Sequence, residues 1–294
     1  MAETVKGSST AAFSHHEISD SEFQHLRELI YREAGINLTS QKKFLAQTRL
    51  GKLMRRKQIS GFDELFSRIR EDSSGLALEM VIDAISTNHT FFFREDAHFS
   101  LMNEELIPEL LSQSTPRKKS IKIWSAGCSS GEEPFTAIIT FLEAQKQKKI
   151  PPDTHLEVIG TDISNEILEK AKSGLYPLET IENLDYKLKK NYFQRGKGRF
   201  EKFVRLKPHV LEHVTFKRHN LLFPLTEHGA FDLIFCRNVM IYFDQQTKQK
   251  VVDNLTNSMH KDSYLIIGHS ESLNNISHKL ITHRPTIFKV KQGV

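Results

Sequence analysis

The stretch IKIWSAGCSSGEEP, residues 121–134, contains a strand, a tight turn and a helix start in close succession. The apolar run Ile121–Ser125 predicts a buried strand, Gly127 and Gly131 permit a sharp turn, and Pro134 suits the first turn of a helix. In an open α/β sheet, a turn of this kind at the carboxyl end of a strand presents backbone groups to a ligand. The stretch therefore predicts an α/β fold whose ligand site includes this turn.

The acids in and after this turn narrow the class of ligand. Glu132 and Glu133 would repel a phosphate, and the glycine spacing GxxxG differs from the GxGxxG of dinucleotide-binding turns. Asp162, at the tip of the next predicted strand, could accept hydrogen bonds from two ribose hydroxyls, or could instead cap the helix predicted from Asn165. Either glutamate alone could simply stabilise a helix start. Together the three acids favour a ligand with a ribose, a positive group and no phosphate, which S-adenosylmethionine satisfies.

Composition excludes several protein classes. Two cysteines, Cys128 and Cys236, cannot form a disulfide framework or a metal cluster, so we expect a reducing cytoplasm and no metal. No apolar run approaches the roughly 20 residues of a membrane span. The N-terminal residues lack the pattern of a signal peptide and predict a disordered tail over 1–18. The net charge of +5 fits an acidic partner about as well as an ordinary surface.

The chain changes character along its length. Residues 19–87 show helical periodicity throughout, beginning at a Ser19–Glu22 capping box, and predict a helical N-terminal domain for substrate recognition. Residues 88–120 are expected to form a linker and a connecting helix. From 121 to 294 short apolar strands alternate with helices, which predicts an open, mostly parallel sheet closed by an edge strand at Thr286–Lys291. A segment at about 174–216 breaks this rhythm and predicts an inserted β-subdomain.

Two motifs outside the first turn carry polar groups suited to a site. FCRNVMIYFD, residues 235–244, delivers Arg237 and Asn238 to the end of a strand, with Tyr242 just beyond, although Tyr242 could equally pack against a helix start. The Asn-Pro-Pro-aromatic turn typical of amide methyltransferases that act on bases is absent. TNHTFFFRED, residues 87–96, carries three phenylalanines that we expect to cover a ligand and exclude water.

The predicted helix 40–57 is basic on one face. Arg49, Lys52 and Arg56 recur at helical spacing, and no acid occurs between residues 41 and 62. An ordinary solvated surface is the alternative, but a face with charge of one sign is less common than a mixed one. We therefore expect an acidic helical partner to dock here.

These motifs together resemble the chemotaxis receptor methyltransferases of the CheR family. The resemblance rests on TNHTFFFRE, WSAGCSSGEEP, GTDIS, NLL at 220–222, FCRNVMIYFD and GHSES at 268–272, in order over about residues 19–290. It implies a Rossmann-like S-adenosylmethionine-dependent methyltransferase domain with a small antiparallel β-subdomain inserted, preceded by an all-α domain. It also implies methyl transfer to chemoreceptor glutamate side chains, giving glutamate O5-methyl esters and S-adenosylhomocysteine.

The resemblance assigns roles residue by residue. Cofactor contacts are implied at Asn88, Thr90, Arg94, Glu133, Asp162, Asn220, Leu221, Arg237 and Asn238. Arg94 and Tyr242 match positions beside the transferred methyl group and are the catalytic candidates, although Arg94 could instead pair with Glu95. Of the two neighbouring acids, Glu133 matches the ligand of the methionine end, and Glu132 receives no role.

The expected partners follow from the same resemblance. Receptor methylation helices are acidic and would dock on Arg49, Lys52 and Arg56. In some family members the β-subdomain also binds a C-terminal receptor peptide as an added strand, and Gly196-Lys197-Gly198 is similar to the loop of that type. We expect a monomer with no nucleic-acid partner and no membrane insertion.

Methyl transfer to a carboxylate does not require a general base from the protein. Glutamate, with an ordinary pKa near 4.3, is already an anion at neutral pH and needs no general base. The sequence shows no convincing His/Asp or Cys/His arrangement, which fits this reaction. A nucleic-acid methyltransferase and a non-catalytic cofactor-binding adaptor are the alternative readings.

Overall fold

The computed structural model of the chain describes residues 17–112 and 119–290, so most of the tail expected at 1–18 and of the polar break at 112–120 lies outside the described residues. The described chain divides into two compact units. One contains residues 17–32 and 38–86, and the other contains 33–37 and the described residues from 87 onward. None of the described helices is long and apolar enough to cross a membrane.

Four helices account for the first unit, except that the last two residues of the first helix belong to the second unit. They are α1 (Asp20–Ala34), α2 (Lys43–Lys57), α3 (Phe62–Glu71) and α4 (Leu76–Ile85). The capping box at the start of α1 is confirmed: the Ser19 amide donates to Glu22 Oε2 at 2.7 Å, and the Glu22 amide donates to Ser19 Oγ at 3.2 Å. Leu26 and Ile30 are fully buried, so the predicted apolar face of α1 packs into the core.

The second unit begins with α5 (Ala97–Leu101), which continues through a π-helical segment into α6 (Ile107–Ser112). Its remaining helices are α7 (Glu132–Lys146), α8 (Asn165–Ser173), α9 (Tyr186–Tyr192), α10 (Pro208–Leu211) and α11 (Gln245–Asn257). Its strands are β1 (Ser120–Ala126), β2 (His155–Asp162), β3 (Leu175–Pro177), β4 (Phe193–Arg195), β5 (Phe203–Leu206), β6 (Val214–Arg218), β7 (Phe231–Cys236), β8 (Met259–Ile267), β9 (Leu280–Arg284) and β10 (Ile287–Val290).

Seven of these strands form one sheet in the order β6-β2-β1-β7-β8-β10-β9. The first five are parallel, and β10 is antiparallel to both of its neighbours. The α/β prediction is confirmed, but the prediction that the last strand lies at the edge is wrong. β9 takes the edge beyond β10; its sequence LITHR is short and mostly polar, which gave no strand signal.

The inserted segment forms a second sheet in the order β3-β5-β4, with antiparallel pairing. β4 and β5 form the predicted hairpin around Gly196–Gly198, where the Gly196 amide donates to the Phe203 carbonyl at 2.9 Å. A Cβ atom on Gly196 would lie 2.0 Å from the Phe200 carbonyl oxygen, so the loop requires glycine there. The small sheet ends at Leu206, and the next strand, β6, belongs to the large sheet.

Both faces of the large sheet are covered by apolar side chains. Along β1, Ile121 and Ile123 pack into one core layer, whereas Trp124 and Ala126 pack into the layer on the other face. Strands buried on both faces read as nearly continuous apolar runs, which is why β1 and β7 were visible in the sequence. The chain passes from β1 to β2 on one side and reaches β7 on the other, so the turns after β1 and β7 meet at a topological switch point.

Candidate functional site

The turn after β1 takes its shape from backbone conformations that favour glycine. Gly127 and Gly131 have φ angles of +80° and +95°, and Ser129 between them also has a positive φ, +51°. The amides of Gly127 and Cys128 both donate to the Thr161 carbonyl at 2.8 Å, which joins the turn to the end of β2. A Cβ atom on Gly127 would lie 2.4 Å from Val239 Cγ2, so this turn also packs closely against the turn after β7.

Asp162 joins the two loops at the tips of β1 and β2. One carboxylate oxygen accepts the Ser129 amide at 2.9 Å and the other accepts the Ser164 amide at 3.0 Å. The helix-capping alternative is wrong, because Ser164 caps α8 by accepting the Ile167 amide at 3.2 Å. Asp162 therefore ties the loop after β1 to the loop after β2, and its role toward a ribose stays a prediction.

The adjacent acids Glu132 and Glu133 have different environments. Glu133 accepts the Ser125 hydroxyl at 2.7 Å with one oxygen and lies 3.1 Å from Arg237 Nη1 with the other. Burial raises the pKa of Glu133, and the Arg237 guanidinium opposes that rise. Glu132 is buried, and its carboxylate accepts the hydroxyl of Ser130, a neutral partner, at 2.7 Å. Burial raises the pKa of Glu132 as well.

Arg237 connects this turn to the segment before α5. Its guanidinium lies 3.1 Å from Glu95 Oε2, donates to the Arg94 carbonyl, and sits 5.1 Å from the centre of the Phe99 ring. Its side chain is only 2% exposed, so the two carboxylates compensate a buried charge. Burial raises the pKa of Glu95, but the attraction and hydrogen bonds of Arg237 outweigh it and leave the pKa below its usual range.

Glu95 is a site residue that the sequence interpretation did not identify. The sequence suggested a local Arg94–Glu95 pair, whereas Glu95 pairs with Arg237, which is 142 residues away. No local pattern signals such a partner. The Arg94 side chain instead donates to the His89 carbonyl at 2.9 Å and lies 5.8 Å from the centre of the Phe91 ring.

The phenylalanines of the 87–96 segment differ in role. Phe92 is 5% exposed and packs edge-to-face against Tyr176 and Phe193 of the inserted subdomain, and a role of the three rings in covering the ligand stays a prediction. Phe93 is partly buried with φ of +60°, and Phe91 is 46% exposed. Buried Phe92 therefore anchors the segment to the subdomain.

Other proposed cofactor contacts lie in loops that reach the same strand tips. The Ser129 hydroxyl donates to the Asn88 carbonyl at 3.0 Å, which brings the segment containing half-buried Thr90 to the turn after β1. After β6, the His219 amide donates to the Asp162 carbonyl at 2.9 Å and so brings the following residues to the tip of β2.

Asn220 and Leu221 follow this contact directly. The Asn220 side chain accepts the Leu222 amide at 3.0 Å and donates to the Glu33 carbonyl at 2.7 Å, and Leu221 is buried. These bonds fix the loop after β6 beside the tip of β2.

The turn after β7 contains the remaining candidates. Asn238 has φ of +60°, and its side-chain Nδ2 lies 3.5 Å from Glu95 Oε1. Tyr242 ends the 3₁₀ turn Met240–Tyr242 and is half-buried; its carbonyl accepts the Asn37 amide at 2.8 Å. These contacts establish where Tyr242 lies in the chain, and its catalytic role stays a prediction.

His98 lies behind Glu95. It is 3% exposed; its Nε2 bonds to Thr286 Oγ1 at 2.9 Å, while its Nδ1 has no hydrogen-bond partner and lies 3.5 Å from Glu95 Oε2. Burial, together with the charges of Arg237 and His269, lowers the pKa of His98 to about 4. His98, Glu95 and His269 have ligand atoms within 4.8 Å of one another, but Arg237 already supplies Glu95 with a cation, so we assign no metal ion to this cluster.

The two cysteines do not serve as nucleophiles. Cys128 and Cys236 are buried, and burial together with nearby carboxylates raises the pKa of both thiols well above the usual value. Both remain neutral at physiological pH, and a neutral thiol is a poor nucleophile.

The three candidate substrate-binding residues on α2 differ in environment. Arg49 donates to the carbonyls of Ile85 and Ser86, at 2.5 and 3.0 Å, and so satisfies the carboxyl end of α4. Lys52 and Arg56 are exposed on the surface of α2. A structural contribution of Arg49 must therefore be separated from any contribution to binding.

The sheet is mostly parallel, two polar turns meet at its switch point, and carboxylates lie at the strand tips. This arrangement fits the class of S-adenosylmethionine-dependent methyltransferases. Residues 88–288 match the family described as the CheR methyltransferase, SAM binding domain, and residues 21–86 match the CheR methyltransferase, all-alpha domain. The chain belongs to the CheR methyltransferase family, and it is a methyltransferase that uses S-adenosylmethionine.

Curated relatives match along most of their own length. The chemotaxis protein methyltransferase of Borreliella burgdorferi is 39% identical over 87% of this chain and 89% of that protein. Chemotaxis protein methyltransferase 1 of Pseudomonas aeruginosa is 34% identical over 88% and 92%. The chemotaxis protein methyltransferase of Escherichia coli is 32% identical over 94% and 92%.

Proposed function

We propose that this chain transfers the methyl group of S-adenosylmethionine to glutamate side chains on the cytoplasmic helices of chemotaxis receptors, forming glutamate methyl esters. The observation that carries the proposal is the match of both units, in order, to relatives named chemotaxis protein methyltransferases over 87% or more of the chain. Incubation with receptor fragments and tritiated cofactor, with RNA as the competing acceptor, tests it. Label on RNA but not on receptor would overturn it.

The residues present fit S-adenosylmethionine. Glu133, Glu95 and Asp162 bring three carboxylates to the strand tips, where they outnumber the two guanidiniums of Arg237 and Arg94. This excess of negative charge suits the ammonium and sulfonium groups of the cofactor, and it disfavours a phosphate-bearing ligand. We assign Asp162 to the ribose and Glu133 to the methionine end. When bound, the cofactor supplies an activated methyl group on its sulfonium.

The protein residues have to hold the acceptor in line with that methyl group. A glutamate carboxylate is already ionised, so orientation can supply most of the acceleration, which reaches roughly 7–11 kcal/mol in favourable cases. We assign this orientation to Arg94 and Tyr242. Arg94 is held by the His89 carbonyl and the Phe91 ring, and Tyr242 follows the turn that carries Asn238. Full turnover in both Arg94→Ala and Tyr242→Phe, with cofactor affinity intact, would contradict the assignment.

We propose further that α2 recognises the acidic methylation helices. Its exposed residues Lys52 and Arg56 share a face, and its last turn adds Arg55 and Lys57, so the helix presents charge of one sign. The exposed ring of Phe44, at 77%, adds apolar surface to the first turn of the same helix.

The test reverses charge without touching Arg49. Lys52→Glu with Arg56→Glu should slow receptor methylation at least tenfold at low salt and less at high salt. The matched control reverses Lys170 and Lys172, which are exposed on α8, for the same change in net charge. An equal effect of both pairs would mean that net charge, and not α2, controls docking.

We also propose that the inserted sheet binds a C-terminal receptor peptide by strand addition. In the described structure β4 ends the order β3-β5-β4, so one of its edges is available for pairing, and its residues Gln194 and Arg195 are exposed. Lys197 and Arg199 in the adjoining loop favour an acidic peptide. Titration with an aromatic- and acid-containing pentapeptide, against the same peptide with Pro in its central position, tests the pairing. Equal affinity for both peptides would rule out strand addition.

A further inference from the structure

We propose that Glu271 is a positioning residue for cofactor binding, because it fixes the backbone of the turn that carries Arg237 and Asn238. The proposal rests on the cofactor-binding role assigned above to those two residues. Glu271 lies in the GHSES motif, residues 268–272, to which the fold and the site have so far given no role.

The Glu271 carboxylate collects three backbone amides. Its Oε2 accepts the Asn238 amide at 2.8 Å and the Gly268 amide at 2.7 Å, and its Oε1 accepts the Met240 amide at 2.8 Å. The residue is 9% exposed, so water has little access to replace it. Two of these amides belong to the turn after β7 and the third to the end of β8, so one carboxylate ties the two strand ends together.

Only a carboxylate fits this arrangement well. Buried amides need acceptors, and an ionised carboxylate offers only acceptor sites, whereas the side-chain amide of Gln would turn two donors toward one part of the cluster. Asn238 has φ of +60° without being glycine, a conformation that the surrounding structure must hold in place. Glu271 supplies that constraint through the amides of Asn238 and Met240.

Gly268 provides a second view of the same contact. A Cβ atom on Gly268 would lie 2.7 Å from the Asn238 side-chain amide and 2.9 Å from Glu271 Oε2. The three residues are therefore packed without spare room at the end of β8. Glu95 holds the Arg237 guanidinium, while Glu271 holds the backbone that follows it. Glu271 thus acts through Asn238 and does not itself need to touch the cofactor.

The test is Glu271→Gln, read by calorimetric titration with S-adenosylhomocysteine and corrected for the folded fraction. We expect the affinity to fall at least tenfold, since mispaired buried donors in the turn displace Asn238. The matched control is Asp232→Asn. Asp232 is also buried and accepts a backbone amide, that of Lys122 at 2.9 Å, but at the amino end of β7, away from the turn. Asp232→Asn should change the affinity for S-adenosylhomocysteine less than twofold, although it should lose about as much stability as Glu271→Gln.

A second variant covers the case in which Glu271→Gln does not fold. Gly268→Ala keeps the Glu271 side chain but places a methyl group too close to both its carboxylate and Asn238, so it should also weaken S-adenosylhomocysteine binding by about tenfold. Wild-type affinity in either folded variant, or an equal loss in Asp232→Asn, would overturn the proposal. Because the readout is cofactor binding, a wrong receptor assignment would leave this result unchanged. A wild-type chain that binds no S-adenosylhomocysteine would overturn both the cofactor assignment and this inference.

Discussion

The turns after β1 and β7 sit side by side at the switch point of the sheet, and they are shaped in different ways. The turn after β1 contains Gly127 and Gly131 at positive φ and is completed by hydrogen bonds to the neighbouring strand. The turn after β7 has no glycine; Asn238 takes the positive φ, and carboxylates from elsewhere in the chain, Glu95 and Glu271, hold it.

The two turns differ in whether glycine residues or distant side chains hold their conformation. Glycine adopts a positive φ without steric strain, but it contributes no side chain. In the turn after β7, which carries the proposed cofactor contacts Arg237 and Asn238, distant residues constrain the conformation instead. The turn after β1 therefore consists mainly of backbone groups, whereas the turn after β7 carries the Arg237 and Asn238 side chains.

The largest expected effect follows from removing the charge at the centre of the second turn. Arg237→Met should lower the free energy of unfolding by about 3–5 kcal/mol, because Glu95 and Glu133 lose their buried counter-charge. Cofactor affinity should fall below detection. Urea unfolding measures the first effect and calorimetry the second.

The control for that experiment is Arg284→Met. Arg284 pairs with Glu105 at 2.7 Å but is 55% exposed, so its loss should cost less than about 1 kcal/mol. Similar losses in both variants would mean that burial does not set the contribution of the Arg237 pairs.

The turn after β1 should be most sensitive to a substitution that strains its backbone conformation. Gly127→Ala should lower the free energy of unfolding by about 2–4 kcal/mol, because the positive φ is strained for alanine and the new methyl group meets Val239. Gly198→Ala is the control. Gly198 has a positive φ of +58° but open space around it, so this variant should lose only the cost of the strained backbone, about 1 kcal/mol. Equal losses would remove the contact between the two turns as a cause.

The support of the second turn should also depend on pH through His98. Its pKa is about 4 in the folded chain and 6.5 ordinarily, so the unfolded chain binds a proton first as the pH falls. The stability contributed by neutral His98 is complete above pH 6.5 and is lost toward pH 4, by up to about 3 kcal/mol. Urea unfolding of wild type and His98→Gln at about pH 7 and about pH 4.5 measures the difference. Parallel pH profiles for the two proteins would contradict it.

The smallest change in stability is expected for Asn238, where a glycine substitution separates the backbone conformation of the turn after β7 from the contribution of its side chain. Asn238→Gly keeps the positive φ without strain, so the free energy of unfolding should change by less than about 1 kcal/mol. The lost side-chain amide should nevertheless weaken S-adenosylhomocysteine binding at least tenfold. Retained affinity would show that this turn, like the first, acts through its backbone.

The sequence predicted much of the first turn and less of the second. The β1–α7 stretch, the glycines and the acids at Glu133 and Asp162 are local features, and the structure places them at one edge of the sheet. The pairing of Arg237 with Glu95 and of the Asn238 amide with Glu271 joins residues 142 and 33 positions apart. No spacing rule identifies such partners.

Other differences have the same origin. The sequence showed Phe92 only as part of an apolar run, whereas the structure packs its ring against Tyr176 of β3 and Phe193 of β4. Arg49 belongs to a basic face by sequence, yet its guanidinium binds the carboxyl end of α4. In each case a neighbour distant in sequence determines the role.

By itself the sequence determined the alternation of strands and helices, the conformation of the glycine turn and the class of ligand, because periodicity, φ preferences and the sign of charge act over a few residues. The tertiary structure alone decided which carboxylate neutralises Arg237, which one holds the Asn238 backbone, and that β10 lies inside the sheet. Those outcomes depend on which buried donors and acceptors the fold brings within bonding distance, and strand order, not sequence separation, sets that distance.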